Sequence, residues 1–460
     1  MTRENEKELG NAKIYVVGNP EKINKVLTEL QSRCGGVDFV GGDATLNIQR
    51  MKELKAELDG ILVFGTYLDR ELGSIGLPTI MVKDLWSWEK GIQRFYRDYK
   101  VLTTCLSETD LSPSISSQRL DDLTEKTKLI VALSKVKKSR LLDITHQETI
   151  QPCDQRDSKP SNYDESYPKI LKELFGLEVV KISFESLNKE IECIEAKEAE
   201  EIADRWINEA QKVSNTTREH VVKSAKMYLA VVKLMQQYNA NSVTMSGWSG
   251  FADGKIDAFP CLGNTELSKK LIPNNCESLI DALVTEMLGI YIMGRPGFVG
   301  DTVVDPLNGV IIWGHCKCPI NPHGDDRVPY IIRSHALQKW NRRLPEDYPE
   351  AGSTLSAVVQ VRLPTDEAVT AVKLSLYERK IALSTGVSVP GRGLYTDFDD
   401  ILCRTKLVMK TDTEAFERKY DTVTFGVHRN IIYGDHRERF KDLAVLLGYE
   451  VVEEMSSTLL

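Results

Sequence analysis

Short apolar runs alternate with amphipathic stretches through the first hundred residues. Lys13-Ile-Tyr-Val-Val-Gly reads as a strand and residues 20–33 as a helix. Val37-Asp-Phe-Val precedes a second helix near 47–58, and Gly60-Ile-Leu-Val-Phe-Gly and Leu77-Pro-Thr-Ile-Met-Val supply two further strands. A helix is expected from Trp86 to Tyr99. Wholly apolar strands of four to six residues, interleaved with amphipathic helices, imply a parallel sheet covered on both faces. The pattern predicts a doubly wound domain of flavodoxin or Rossmann type.

Polar Ser107–Ser117 leads into a helix near 119–138, and Arg140-Leu-Leu-Asp-Ile starts a new strand. Residues 151–166, rich in Asp, Ser, Pro and Asn, read as a loop. The alternation then resumes: helix 168–175, strand Leu177–Phe184, helices 196–212 and 216–238, and strand Asn241–Ser246. After residue 295 the rhythm changes. Val299–Val304, Val310–Trp313, Leu355–Arg362, Ala371–Tyr377 and Lys380–Leu383 are short strands separated by Gly, Pro, Asp and Asn turns. That spacing predicts antiparallel sheet of barrel type. A strand over Thr422–Val427 and a helix over Arg437–Leu447 follow. The expected fold is therefore α/β, with two doubly wound domains (1–139 and 140–294) and a β-rich, barrel-like third (295–460).

Composition narrows the function classes. The chain of 460 residues carries a net charge of −8 and 7% aromatics, which argues against a nucleic-acid binder. No run of eighteen apolar residues exists, so a membrane span is not expected, and the charged N-terminus lacks the apolar core of a secretion signal. Nine scattered cysteines suit reduced thiols in a cytoplasmic protein. Seven histidines restrict imidazole chemistry to His146, His220, His315, His323, His335, His428 and His436.

The familiar catalytic signatures are absent: no phosphate-binding G-x-x-x-x-G-K-[ST], no G-x-S-x-G and no H-E-x-x-H. Cys316-Lys-Cys318 lacks a second pair at finger-like spacing, and strand alternation would place both thiols on one face without making a zinc site. Pro390-Gly-Arg-Gly393 could meet an anion but reads first as a plain hairpin connection. The richest stretch is Cys261–Cys318. Glu277 stands at the N-terminal edge of a helix over 278–292, where it complements the helix dipole. Asn308-Gly309, between two apolar runs, is a hairpin signal. A three-residue loop there would set Asp301 opposite His315, whereas a two-residue loop would make them diagonal on opposite faces. Asp301, within Phe-Val-Gly-Asp-Thr-Val-Val, needs a partner if buried: a cation or His315. His428 is carried by an apolar strand, where a hydrogen-bonded core role competes with a ligand role.

Several ordered motifs resemble the fucose isomerase and arabinose isomerase superfamily. They are Cys276-Glu277, Gly294-Arg-Pro-Gly-Phe-Val-Gly-Asp301, Trp313-Gly-His315-Cys, Tyr330, Arg333-Ser-His335, Thr385-Gly386, Gly426-Val-His428 and Tyr433-Gly-Asp435. They span about residues 260–450 and look closest to the shorter fucose-isomerase-like proteins. Ser278-Leu-Ile, Gly314 and the single histidine of Val427-His428 depart from the usual pattern. The resemblance implies a divalent-metal aldose–ketose isomerase acting through an enediol on fucose, arabinose or a modified hexose. It implies Glu277, Asp301 and His428 as metal ligands, with manganese foremost and cobalt or magnesium as alternatives. It implies Glu277 and Asp301 as the acid–base pair, and His315 as a further residue near metal or substrate. Trimers or hexamers with active sites at subunit contacts are also implied. The same scaffold could serve a non-catalytic sugar-binding or regulatory protein, which is the alternative reading.

Overall fold

The computed structural model describes residues 9–65, 67, 69–84, 95–96, 99–107, 117–146, 163–335, 356–391 and 403–455. The chain divides into two compact units. The first comprises Met1–Lys138, Arg379–Ile381 and His436–Val451; the second comprises Ser139–Glu378, Ala382–Asp435 and Val452–Leu460.

In the first unit, strands β1 (Ala12–Val17), β2 (Val37–Asp43), β3 (Gly60–Phe64), β4 (Thr79–Asp84), β5 (Phe95–Tyr96) and β6 (Val101–Leu106) form one sheet in the order β2-β1-β3-β4-β6-β5. All pairs are parallel except β5 with β6. The 2-1-3-4 beginning is the flavodoxin-like doubly wound order. Ile14, Val17, Ile61, Val63, Ile80 and Met81 are buried, as a sheet covered on both faces requires. The helix expected over Trp86–Tyr99 is corrected at Phe95–Tyr96, two aromatic residues that pair as strand; residues 85–94 and 97–98 lie outside the described residues. The following helix, Gln118–Lys137, starts where the Ser117 hydroxyl accepts the Leu120 N–H at 3.1 Å.

The second unit begins with another parallel sheet, built from β7 (Arg140–Ile144), β8 (Glu178–Ile182), β10 (Ser242–Met245) and β11 (Asn274–Asn275) in the order β11-β10-β7-β8. The strand expected to reach Phe184 stops at Ile182, because Ser183 caps a helix over Phe184–Glu192. Strand β9 (Lys212–Ser214) instead joins β14 (Tyr330–Arg333) and β15 (Val358–Val361) in a small separate sheet.

Besides β20 (Glu450–Glu453), which adds to β17, the remaining strands are β12 (Phe298–Asp305), β13 (Val310–His315), β16 (Ala368–Ser375), β17 (Lys380–Val389), β18 (Thr405–Lys410) and β19 (His428–Tyr433). They run β16-β19-β12-β13-β18-β17, and a β16–β17 pairing closes the ring into a six-stranded antiparallel barrel. The expected α/β architecture with two parallel sheets and an antiparallel barrel is therefore what the chain adopts. The expected strand over Thr422–Val427 is corrected. Asp421 accepts the Val423 and Thr424 N–H groups and caps a single helical turn, Thr422–Phe425, and Gly426 at φ 65° releases the chain into β19. Against β16 and β19 packs the helix Ile280–Met293, buried around almost its whole circumference and ended by Gly294 at φ 66°.

Candidate metal centre

Glu277 is placed by the second parallel sheet. It lies two residues past β11, at the carboxyl end of the strands, where open α/β sheets gather their ligands. The turn that presents it is pinned on both sides. Asn275 donates from Nδ2 to the Leu279 carbonyl at 3.1 Å, and the Thr244 hydroxyl donates to Asn275 Oδ1. Ser278 adopts φ 52°, an unusual conformation for a residue with a Cβ, and its hydroxyl donates to Asp143 Oδ1 at 2.6 Å. Burial pushes the Asp143 carboxyl up to about 6, against the lowering effect of that hydrogen bond and of Lys181.

Asp301 and His428 come from the barrel. They are direct partners in the β12–β19 ladder, so their side chains share a face. His428 Nε2 stands 3.0 Å from Asp301 Oδ1 and 3.3 Å from Glu277 Oε2. His428 is buried, while the two carboxylate side chains remain about one-third and two-fifths exposed, at 32% and 40%. Burial would raise Glu277, yet the His428 and His315 imidazoles outweigh it and hold the carboxyl well below its ordinary range.

His315 arrives by a register that neither expected hairpin supplies. The loop holds four residues, Pro306–Gly309, and Asp301 faces Gly314. The longer loop arises because the Asp305 carboxylate accepts the Leu307 and Asn308 N–H groups and the Asn308 side chain, building the turn before Gly309. His315 is the last residue of β13, and its Nε2 still comes within 3.6 Å of Glu277 Oε1. Its Nδ1 accepts the Lys317 N–H at 3.1 Å, which puts the proton of a neutral ring on Nε2, toward Glu277. Burial lowers His315, but Cys276 and the Glu277 and Asp301 carboxylates outweigh it and hold the imidazole above its ordinary range. A cation beside those carboxylates would cancel this pull and favour the neutral ring that the Lys317 hydrogen bond requires. Lys317 is itself buried, with Nζ donating to Glu286 Oε1 at 2.7 Å and to the Asn274 carbonyl at 2.8 Å.

All four candidate residues from the sequence thus meet at one place. The donor atoms of Asp301, His315 and His428 lie within 4.8 Å of one another, as do those of Cys276, Glu277 and His315. Such groups can bind a metal ion: two carboxylates and an imidazole offer mixed oxygen and nitrogen ligands. Glu277, Asp301, His315 and Cys276 border a cavity of about 230 Å³, which Trp248 and Phe259 also line. Sequence reasoning missed several of its walls. Trp248 sits on a short helix after β10 and Cys403 just before β18, while His335, named in the Arg333-Ser-His335 motif, follows β14. Cys316 and Cys318 also part company: the strand ends at His315, so Cys316 lines the cavity while Cys318 joins the hydrophobic core.

Compared with known proteins, the chain matches no family model and no curated protein. The fucose isomerase and arabinose isomerase resemblance therefore rests on the motifs named above. Among the described residues, no helix is long and apolar enough to cross a membrane.

Proposed function

We propose that this protein is a divalent-metal aldose–ketose isomerase. The observation that carries the reading is the convergence of Glu277, Asp301 and His428, from three separate elements, with His428 Nε2 at 3.0 and 3.3 Å from the two carboxylates. Glu277, Asp301 and His428 would hold the cation, with manganese proposed first. When bound, it would polarise the sugar carbonyl and stabilise negative charge on its oxygen.

The chain's own groups account for the rest. Glu277 is ionised, partly exposed to the cavity and paired on either side with imidazoles, so it can accept the proton from C2 of an open-chain aldose and return it to C1. Asp301 shares His428 with it and serves as its partner in acid–base exchange. His315, with its proton on Nε2, can donate to a substrate oxygen beside Glu277. Trp248 and Phe259, stacked 6.1 Å apart at 20°, supply an apolar wall for the C–H face of a sugar. The cavity has room for a monosaccharide. A cytoplasmic homotrimer or homohexamer belongs to the same proposal, and light scattering of the purified chain checks it.

The test is ketose formation from a panel of aldoses that includes fucose, arabinose and a sulfonated hexose, with manganese present. At least one should be converted, and Glu277→Gln and Asp301→Asn should each lower the rate by about 100-fold or more. Absence of conversion with every sugar would overturn the catalytic reading in favour of sugar binding without chemistry.

A further inference from the structure

A second set of donors lines the same cavity, and its chemistry is different. Cys316 Sγ, a ring nitrogen of His335 and Cys403 Sγ all lie within 4.8 Å of one another. The three residues come from separate segments: Cys316 just past the end of β13, His335 just past β14, and Cys403 just before β18. Strands β13 and β18 are hydrogen-bonded neighbours, with His315 opposite Thr405, so the barrel itself brings the two thiols to one rim. The His335 ring is fixed by stacking on Phe259 at 4.4 Å and 21° and by packing against Trp248 at 5.4 Å. The backbone N–H of Arg404 points at Cys316 Sγ over 3.5 Å, the kind of outer hydrogen bond that steadies a thiolate ligand. Cys316 and His335 are buried and Cys403 is half-buried.

We propose that Cys316, His335 and Cys403 form a zinc site separate from the carboxylate-rich centre. Two sulfurs and an imidazole select a soft or borderline cation such as Zn²⁺, whereas the two carboxylates and histidine of the neighbouring centre accept Mn²⁺ or Mg²⁺. Three protein donors would leave one position of a tetrahedral ion open, and since all three residues line the cavity, water or a substrate oxygen there would complete the shell. The site goes beyond the isomerase reading and does not depend on it. Cys316-Lys-Cys318 is uninformative in the sequence because its second cysteine is turned into the core, and the other donors lie far along the chain.

Cobalt(II) titration of the full-length, metal-stripped protein under reducing conditions tests this, with metal content measured in parallel for zinc. The expected result is a thiolate-to-cobalt charge-transfer band that saturates at one ion per chain and is displaced by zinc. That band should persist in Glu277→Gln and Asp301→Asn and be lost in Cys403→Ser. Zinc affinity should fall by about 100-fold in Cys403→Ser, while manganese binding remains within about threefold of the parent. Cys403 is the better probe because it is only half-buried; a circular dichroism spectrum matching the parent's shows that the variant is folded, and His335→Gln provides a second folded probe at the same donor set. Absence of the band in the parent protein, or its retention in Cys403→Ser, overturns the proposal. So does a Cys316–Cys403 disulfide in the protein isolated without reductant, which would make the pair a redox element instead. Failure of the aldose assay with the cobalt band intact removes the isomerase reading and leaves this site standing.

Discussion

Ser278 shows how much the candidate centre depends on single side chains. Its φ of 52° turns the chain so that Glu277 faces the barrel, and the hydroxyl bonded to Asp143 holds that conformation. Replacing Ser278 with Ala keeps the strained φ, removes the hydrogen bond and leaves a buried carboxyl with one donor fewer. The expected cost is about 1–3 kcal/mol in denaturant unfolding, with a parallel loss of metal affinity as Glu277 swings. Unchanged affinity in a folded Ser278→Ala protein would show that Asp143 does not position the ligand. His315 gives a sharper distinction. Because Lys317 N–H occupies Nδ1, His315→Gln should lower turnover strongly while changing manganese affinity by less than about threefold; a tenfold loss of affinity, worth about 1.4 kcal/mol, would make His315 a ligand. At this scale much was legible beforehand. Asp301, His315 and His428 stand out as polar residues in apolar runs, but Glu277 and the grouping of all four as one site were named through the fucose and arabinose isomerase resemblance. Cys276 and Cys316 were legible as neighbours of those motifs, but Cys403, Trp248 and Phe259 were not, since a lone cysteine or aromatic residue looks like core until its neighbours are known.

The elements carry their own test in the helix Ile280–Met293. Its apolar sequence accounts for its burial, yet it also carries Asp281 and Glu286 inward, and each is met by specific partners. Glu286 pairs with Lys317, both side chains essentially inaccessible, so Glu286→Ala strands a buried ammonium and should cost about 3–5 kcal/mol of unfolding free energy. Asp281 accepts the Tyr167 hydroxyl and the Leu376 N–H, and burial, against the opposing charge of Lys373, pushes its carboxyl up to about 7. An acid raised in the folded state keeps its proton there while the unfolded chain, with an ordinary value near 3.8, has released it. Stability from this group is therefore full below about pH 4, falls as the pH rises toward 7, and is level above that. Urea melts of Asp281→Asn across pH 4–8 should lack that fall; an identical pH profile to the parent would contradict the assignment. Long periodic elements such as Arg437–Leu447 were readable to the residue. Short ones were decided by capping and turn chemistry. Asp421 converts Thr422–Phe425 into a helical turn, and Asp305 lengthens the hairpin that Asn308-Gly309 predicted.

For the whole molecule, the alternation of strands and helices was enough to foresee two parallel sheets and an antiparallel barrel. The strand partners were not foreseeable, because the pairing of β13 with β18 and of β12 with the distant β19 leaves no local mark in the sequence. That last pairing matters most, since it sets Asp301 beside His428 and completes the candidate centre. All donors belong to the second compact unit, so manganese at 100 times its dissociation constant should stabilise that unit by about 2.7 kcal/mol. Hydrogen exchange should slow around Asn274–Asp281, Gly300–Asp301 and His428–Arg429; equal slowing throughout the first unit would point to binding elsewhere. The isomerase reading itself is tested most directly by incubating aldoses with the manganese-loaded protein in deuterated water and locating the label. Deuterium at C1 or C2 of a converted sugar, lost in Glu277→Gln, is the predicted result. Conversion without label from solvent would point to hydride transfer between the carbons, and neither conversion nor label with any sugar would contradict the account.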